Sequence, residues 1–406
     1  MAKGTAYYGL DIASDKIVAL KAVVNSRGQI VDITSEIGQA AGIKNGSITE
    51  LGVFSNSISQ TIKRLSVSSG DKIKSLYVCL QGPFIKTSHS LCALALSERS
   101  NKIITSSDVL KVNQHAYSLG LSIEEQVLHQ IPQEYTIDGQ NKVLNPAGLY
   151  GHKLQADLFL VSAQARDVQN LISAIDQAGY KARAVVLSAL ATGLAVVSEE
   201  NKKKGCCLLD VGFDSSAMLI FKDGIPRGYE YFNFGSHHLS EALSRELKLP
   251  YALAEDLKIS YGSVFAHTAA SEQEVLVKKD QVYRAIKRKQ ICLIIEKELQ
   301  VFFQAFKERL EAYQKTFTLA QGVLVSGKAA LLEGFIESLE QKIGVPVHLA
   351  KVENALSSDT TYATAIGLVY YALSQHSQIN FFKFSSYGNI FQKISRKSKE
   401  IYHEYF

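Results

Sequence analysis

Leu10-Asp-Ile-Ala-Ser-Asp-Lys16 and Leu209-Asp-Val-Gly-Phe-Asp-Ser-Ser216 are two versions of one phrase, set half a chain length apart in 406 residues. Each is an apolar run ending in Asp, then a short loop of small and hydroxylated residues. A second apolar run follows, Ile17–Val24 in one copy and Ala217–Phe221 in the other. An apolar run, a tight polar turn and another apolar run spell a β-hairpin. Two such hairpins so far apart predict two similar half-molecules that face one ligand. A phosphate tail suits that geometry, because turn amides and Ser hydroxyls would face its oxygens. Asp11 and Asp210 would then hold Mg2+ through water.

Composition narrows the field. The chain is 46% hydrophobic and 20% charged, which fits a globular protein long enough for two or more domains. A net charge of +5 is too mild for a dedicated nucleic-acid binder unless the excess is concentrated in one place. Met1–Thr5 runs directly into strand-like Ala6–Ile12, so no signal segment is expected. Apolar stretches such as Ala184–Val197 are too short and too rich in Ser, Thr and Gly to span a bilayer. The five cysteines lack Cys-x-x-Cys spacing and read as buried thiols in a reducing cytosol. His129, His237 and His238 lack a third ligand at metal-binding spacing.

Along the chain, a third strand at Ile30–Ile37, a turn at Gly42–Gly46 and a helix at Ile48–Leu65 lead to the buried strand Ser75–Gln81. The pattern then changes. Strand-like Lys86–Leu96, a helix Ser107–Leu119 capped by Ser107, and a strand Gln126–Ile131 ending in a Pro132-Gln-Glu-Tyr135 turn predict a small α+β insertion. Helix Arg166–Ala178, strand Ala182–Leu187 and helix Ala189–Glu200 lead to a basic turn at Lys202–Gly205. After the second hairpin, a mostly helical segment at Ser236–Leu319 precedes a strand Gln321–Ser326. Helices Ala329–Ile343 and Thr361–Ser374 follow.

Particular stretches carry a family resemblance over almost the whole chain. Gly9-Leu-Asp-Ile12, the insertion after Gln81-Gly82, and Leu128-His-Gln-Ile-Pro-Gln-Glu-Tyr-Thr-Ile-Asp-Gly139 resemble the bacterial cell-division family FtsA. So do Asn145-Pro-Ala-Gly-Leu-Tyr-Gly-His-Lys-Leu154, Ala254-Glu-Asp-Leu-Lys-Ile-Ser-Tyr-Gly262 and Tyr362-Ala-Thr-Ala-Ile-Gly367. The stretch from Leu128 to Leu154 is the most specific; glycine loops alone are shared with sugar kinases and chaperones.

The resemblance implies an α/β, actin-like two-lobed fold made of two ribonuclease-H-like domains. Residues 1–83 and 164–204 would form the first, and 205–235 with 320–374 the second. An FtsA-type insertion would occupy 84–163 and a helical subdomain 236–319. A linker at 375–387 would precede an amphipathic helix at 388–406. The family binds ATP with Mg2+, self-associates into filaments, docks the C-terminal tail of FtsZ and works beside other division proteins. It lies on the inner face of the cell membrane at the division site, and nucleic acid is not among its partners.

The resemblance also implies a nucleotide site, on which this chain departs from the family. Ala13-Ser-Asp-Lys16 stands for Gly-Thr-Ser-Lys, and Gly212-Phe-Asp-Ser-Ser-Ala217 for Gly-Gly-Gly-Thr-Thr-Asp. The third loop, usually Thr-Gly-Gly-hydrophobic-Ala, is Ser326-Gly-Lys-Ala329. The candidate contacts are Asp11, Ser14, Asp15, Lys16, Asp210, Gly212, Ser215, Ser216, Gly235, Ser326, Gly327 and Lys328, with Glu255 and Lys258 at the ribose. Their spacing puts Glu255 and Lys258 on one helix face. A bulky Phe or an added carboxylate beside phosphate costs about 1–3 kcal/mol each. An altered site that still binds ATP and a relic that does not are both open, and no residue is assigned as a general base.

A sugar kinase would need a catalytic carboxylate in the insertion, where Asp138 and Asp157 read as a turn and a strand-end residue. The pilus scaffold PilM shares the lobes but generally lacks the C-terminal helix. Taken at 100° per residue, Ile390, Phe391, Ile394, Ile401, Tyr402 and Tyr405 fall within about 120° of one another. Lys393, Arg396 and Lys397 lie beside that stripe or opposite it. An apolar stripe with cations suits an in-plane helix on an anionic membrane; a helix folded back on the core is the alternative. Family position places FtsZ docking on the helical subdomain, with Arg288 and Lys289 as its candidate cations.

Overall fold

The computed structural model describes residues 4–97, 101–265, 273–279, 282–352 and 360–376. β1 (Thr5–Ile12) and β2 (Lys16–Val24) form the first hairpin, and β3 (Ile30–Gln39) adds to its edge. A miniature hairpin, Ile43–Lys44 against Ser47–Ile48, turns on Asn45 and Gly46 at φ 49° and 74°. Two left-handed residues in a row are what a two-residue I′ loop requires, and Asn-Gly supplies them. α1 (Leu51–Ser69) lays Phe54, Ile58, Ile62 and Leu65, spaced on one helical stripe, over the sheet. It stops at Gly70, φ 69°, and β4 (Ser75–Leu80) runs parallel to β1.

The insertion follows as β5 (Ile85–Ala95), α2 (Ser106–Leu119), β6 (Glu125–Ile137), β7 (Asn141–Val143) and β8 (Lys153–Gln164). Its sheet has the order β7-β6-β8-β5, covered by α2, with a small core of its own around Val112, Tyr135 and Leu154. The helix cap is Thr105 rather than Ser107. Thr105 and Asp108 complete a reciprocal box: Thr105 N–H reaches Asp108 Oδ2 at 2.9 Å and Asp108 N–H reaches Thr105 Oγ1 at 3.3 Å. The expected turn at Pro132–Tyr135 is the middle of β6. There the register slips, Glu134 facing Asp157 and Pro132 facing Leu158. That bulge leaves Gln133 without an opposite number and lets proline sit in a ladder for which it lacks a donor.

α3 (Ala165–Gln177) and β9 (Lys181–Leu187) complete the first sheet in the order β9-β4-β1-β2-β3. The long helix expected to Glu200 is broken. α4 (Ser188–Val196) ends first, and Ser198 caps a separate helix Glu199–Lys204 by accepting Asn201 N–H at 3.2 Å. The expected basic turn is therefore the end of that short helix.

The second lobe repeats the first. β10 (Cys206–Val211), β11 (Ser216–Lys222) and β12 (Ile225–Phe232) are antiparallel. Next come α5 (Ser236–Leu247), α6 (Tyr251–Tyr261), the hairpin β13 (Glu274–Lys279) and β14 (Val282–Lys287), and α7 (Arg288–Gln314). β15 (Val323–Ser326), α8 (Phe335–Ile343), β16 (Val347–Leu349) and α9 (Ala363–His376) follow. The sheet order is β12-β11-β10-β15-β16, with β15 and β16 parallel to the centre. Both lobes thus carry the same five-stranded topology, which is the actin-like plan. The segment expected to be mostly helical contains a hairpin whose alternating Val275, Val277 and Ile286 are buried.

α4 and α9 fill the seam between the lobes, and one apolar core runs through them from the first sheet to Leu208, Leu219 and Phe221 of the second. Their backbones touch: a Cβ on Gly367 would lie 1.7 Å from the Ala191 carbonyl oxygen. The turns of both hairpins open onto the end of this seam.

Candidate functional site

The two Asp-bearing turns are built alike. Ala13 N–H donates to Lys16 O at 2.9 Å, and Gly212 N–H donates to Ser215 O at 2.9 Å. Ile12 pairs with Ile17 on one side, Val211 with Ser216 on the other. Position by position, Asp11 matches Asp210, Ser14 matches Phe213, Asp15 matches Asp214 and Lys16 matches Ser215.

Between the turns lies a cleft of about 140 Å³. Asp11, Ser14, Asp15, Lys16, Asp210, Gly212, Ser215, Ser326, Gly327 and Lys328 all line it, together with Gln81, Ser188, Ser236, Thr360 and Thr364. Gly327 has φ 96°, and a Cβ there would lie 2.0 Å from the Val211 carbonyl oxygen, so the third turn closes on the second only with glycine.

Four expected residues do not line the cleft. Ser216 is fully buried, and its hydroxyl donates to Phe234 O at 2.6 Å. Strand parity explains it: Ser216 matches the buried Ile17, not the turn. Gly235 caps α5 from beneath the second turn, where a Cβ would meet Phe213 O at 2.2 Å. Glu255 and Lys258 lie one layer back. The Lys258 amine reaches Glu255 at 2.8 Å and the Ser236 carbonyl at 3.1 Å, and the Ser240 hydroxyl also donates to Glu255. Burial pushes the Glu255 carboxyl up, but Lys258, Ser240 and Tyr251 together hold it below its ordinary value.

Asp11 is 8% exposed, and burial raises its pKa to about 6. The Cys79 thiol and Lys16 oppose that rise, while Asp210 adds to it. Burial also raises Asp210, against hydrogen bonds from Thr192 and Ser326 and the charge of Lys16; the Thr192 hydroxyl lies 3.0 Å away. Four carboxylates, Asp11, Asp15, Asp210 and Asp214, line the cleft against the amines of Lys16 and Lys328. A polyanion entering there would meet more carboxylates than amines, a repulsion that an accompanying cation would offset. Among the described residues no three His, Cys, Asp or Glu side chains converge on a metal position. A divalent ion here would share its coordination with the ligand and water.

Two contacts beside the cleft escaped sequence reasoning. Asn45 N–H donates to Asp214 Oδ2 at 2.9 Å, and Gln81 Nε2 donates to Ser215 Oγ at 3.1 Å. Both bonds cross from the first lobe to the second. The Asn45-Gly46 dipeptide announces a turn, but nothing in the sequence says which way that turn points.

Away from the cleft, Arg288 donates from Nε to Tyr261 O at 3.1 Å and from Nη2 to Glu333 at 2.9 Å. Lys289 is exposed on the first turn of α7. The expected cationic pair is thus split, with Arg288 committed to the body of the protein. The stripe Ile390, Phe391, Ile394, Ile401, Tyr402 and Tyr405, with Lys393, Arg396 and Lys397, lies outside the described residues. Among the described residues no helix is long and apolar enough to cross a membrane.

Comparisons with known proteins agree with this architecture. A family model described as cell division protein FtsA matches residues 207–367, and a model of the SHS2 domain inserted in FtsA matches residues 85–162. Together they span more than half of the chain. The cell division protein FtsA of Borreliella burgdorferi is 25% identical over 400 residues, covering 96% of this chain and 95% of that protein. Among solved structures, the PilM-PilN type IV pilus biogenesis complex contains a chain with TM-score 0.63 at 15% identity, covering 90% of this chain and 98% of that one. MreB5 of Spiroplasma citri bound to ADP gives TM-score 0.56 at 10% identity, covering 93% and 100%. At such identities these two show a shared fold and nothing further.

Proposed function

The chain belongs to the FtsA family of cell-division proteins, and from that premise we propose that it binds Mg-ATP between its two hairpins, self-associates and tethers FtsZ to the membrane. The observation that carries the nucleotide half is the matched pair of Asp turns around one cleft, each closed by the same 2.9 Å backbone bond. An MreB of the same fold holds ADP. Ser14, Lys16 and Ser215 would take phosphate oxygens, with Gly327 and Lys328 near the adenosine. Asp11 and Asp210 would hold Mg2+ through water, and the ion would offset the charge of the phosphate tail. In this reading Glu255 and Lys258 brace the start of α5 rather than touch the ribose.

No side chain is placed as a general base, so hydrolysis is no part of the proposal. The second reading is an adaptor with a decayed nucleotide site, favoured by Phe213 and Asp214 in the second turn. Two losses of about 1–3 kcal/mol each would weaken binding roughly a hundredfold or more. Calorimetric titration of the full chain with Mg-ATP separates the two. Saturable binding that Asp210→Ala weakens without unfolding the chain supports the first; no binding at millimolar nucleotide supports the second.

The partner half rests on the family and on residue chemistry. FtsZ would dock on the subdomain at 236–319, and residues 388–406 would lie in the plane of an anionic inner leaflet. Deleting 388–406, or placing Glu at Phe391 and Ile394, is expected to release the protein from anionic vesicles in flotation. A truncated chain that still floats would remove the anchor from the reading.

A further inference from the structure

The turn that should receive phosphate already holds an anion. Asp214 is 7% exposed, and its Oδ2 accepts the Asn45 amide at 2.9 Å across the cleft. That amide belongs to a left-handed turn, φ 49°, whose neighbour Gly46 lines the same cleft. Beside it, Gln81 Nε2 reaches Ser215 Oγ at 3.1 Å, so two bonds from the first lobe end on consecutive residues of the second loop. The matching residue of the first loop, Asp15, also lines the cleft, yet its Oδ1 is buried with no hydrogen-bond partner among the described residues. Only the second-loop carboxylate makes the crossing.

We propose that Asp214 is an internal anion that clasps the two lobes and competes with nucleotide phosphates for the Asn45 amide. It does so in two ways. Its hydrogen bond occupies a backbone donor next to Gly46 of the cleft lining, and its charge opposes a second anion between the same turns. A phosphate that enters must displace the carboxylate or bring enough cation to offset it. Asp214 therefore sets the affinity of the cleft and couples its occupancy to the spacing of the lobes.

The affinity arm rests on the nucleotide reading above; the clasp itself does not. Hydrogen exchange by mass spectrometry on residues 42–48 of the full chain, without nucleotide, reads the clasp. Asp214→Ala is expected to speed exchange there about tenfold or more. Asp214→Asn keeps an acceptor oxygen and is expected to retain most of the protection. In Mg-ATP titrations Asp214→Ala is expected to bind at least about tenfold tighter than wild type, with Asp214→Asn, which lacks only the charge, in between. Unchanged exchange in Asp214→Ala overturns the clasp. Faster exchange with no gain in nucleotide affinity overturns the competition. If no variant binds nucleotide, the functional reading falls with the competition, and the exchange result still decides the clasp.

Discussion

The Cys79 thiol donates to Asp11 Oδ1 at 3.1 Å while its sulfur accepts the Ile12 amide at 3.1 Å. A residue of β4 thereby fixes the carboxylate that ends β1, at the point where that strand enters the cleft. The fold holds this carboxyl in a place that disfavours its charge. Its ordinary value is 3.8, and burial carries it to about 6. The folded state therefore binds the proton more tightly than the unfolded chain, and stability falls as pH rises from about 4 to about 6. Above that range the full cost is about 3 kcal/mol; below about 4 there is none. In metal-free buffer Asp11→Asn is expected to be more stable than wild type at pH 8, with the gap closing by pH 4. Denaturant midpoints at the two pH values check this, and equal midpoints at pH 8 would show that the buried charge carries no cost.

Ser215 and Ser216 are adjacent hydroxyls with different duties. Ser215 lines the cleft and accepts from Gln81, whereas Ser216 is buried and donates to Phe234 O. Ser216→Ala removes a buried donor and leaves a carbonyl unsatisfied, which costs about 1–3 kcal/mol of stability. It is expected to leave Mg-ATP affinity unaltered in the surviving folded protein. Ser215→Ala is expected to do the reverse, weakening nucleotide with little change in stability. Paired titrations and urea curves decide, and weaker nucleotide binding in Ser216→Ala would put that hydroxyl back in the cleft.

The seam offers a harsher test. A methyl on Gly367 would sit 1.7 Å from the Ala191 carbonyl oxygen and 2.4 Å from its carbon. Backbone on backbone leaves no flexible side chain to give way, so α9 must move off α4. Gly367→Ala is expected to cost at least about 1–3 kcal/mol, read as a lower denaturant midpoint. A midpoint equal to wild type would mean that the lobes slide freely at this contact.

Much of this was legible in the sequence, for reasons specific to particular residues. The hairpins could be read because β2 and β11 are apolar runs joined to their partners by polar turns, and α1 because Phe54, Ile58, Ile62 and Leu65 recur on one stripe. Glu255 and Lys258 could be read as a pair from their spacing, and they are one at 2.8 Å. Their layer could not, because nothing local says that Ser236 stands between them and the cleft. Pro132 misled because its missing donor is absorbed by a bulge that depends on Asp157 and Leu158 in another strand. Ser216 was misplaced although the signal existed: six residues past Asp210 is the parity of Ile17, six past Asp11. The Asn45–Asp214 bond joins residues that only the packed lobes bring together.

At the start of α7 two neighbouring cations promise different outcomes. Arg288 ties the helix to Tyr261 O at 3.1 Å and to Glu333 at 2.9 Å, so it staples α7 to the end of α6 and to the loop before α8. Arg288→Glu would set a carboxylate against a carbonyl and a second carboxylate, removing both hydrogen bonds at a cost of about 1–3 kcal/mol. Loss of FtsZ binding in that variant would not distinguish a lost contact from a loosened subdomain. Lys289 is exposed, and reversing it alters the surface field with little effect on the fold, about 0.5 kcal/mol or less. Lys289→Glu is therefore expected to weaken co-sedimentation with FtsZ at low ionic strength, and less so in salt, where exposed charges are screened. Its denaturant midpoint is expected to match wild type, while that of Arg288→Glu falls. Wild-type co-sedimentation by Lys289→Glu at low salt would move the docking surface away from the start of α7.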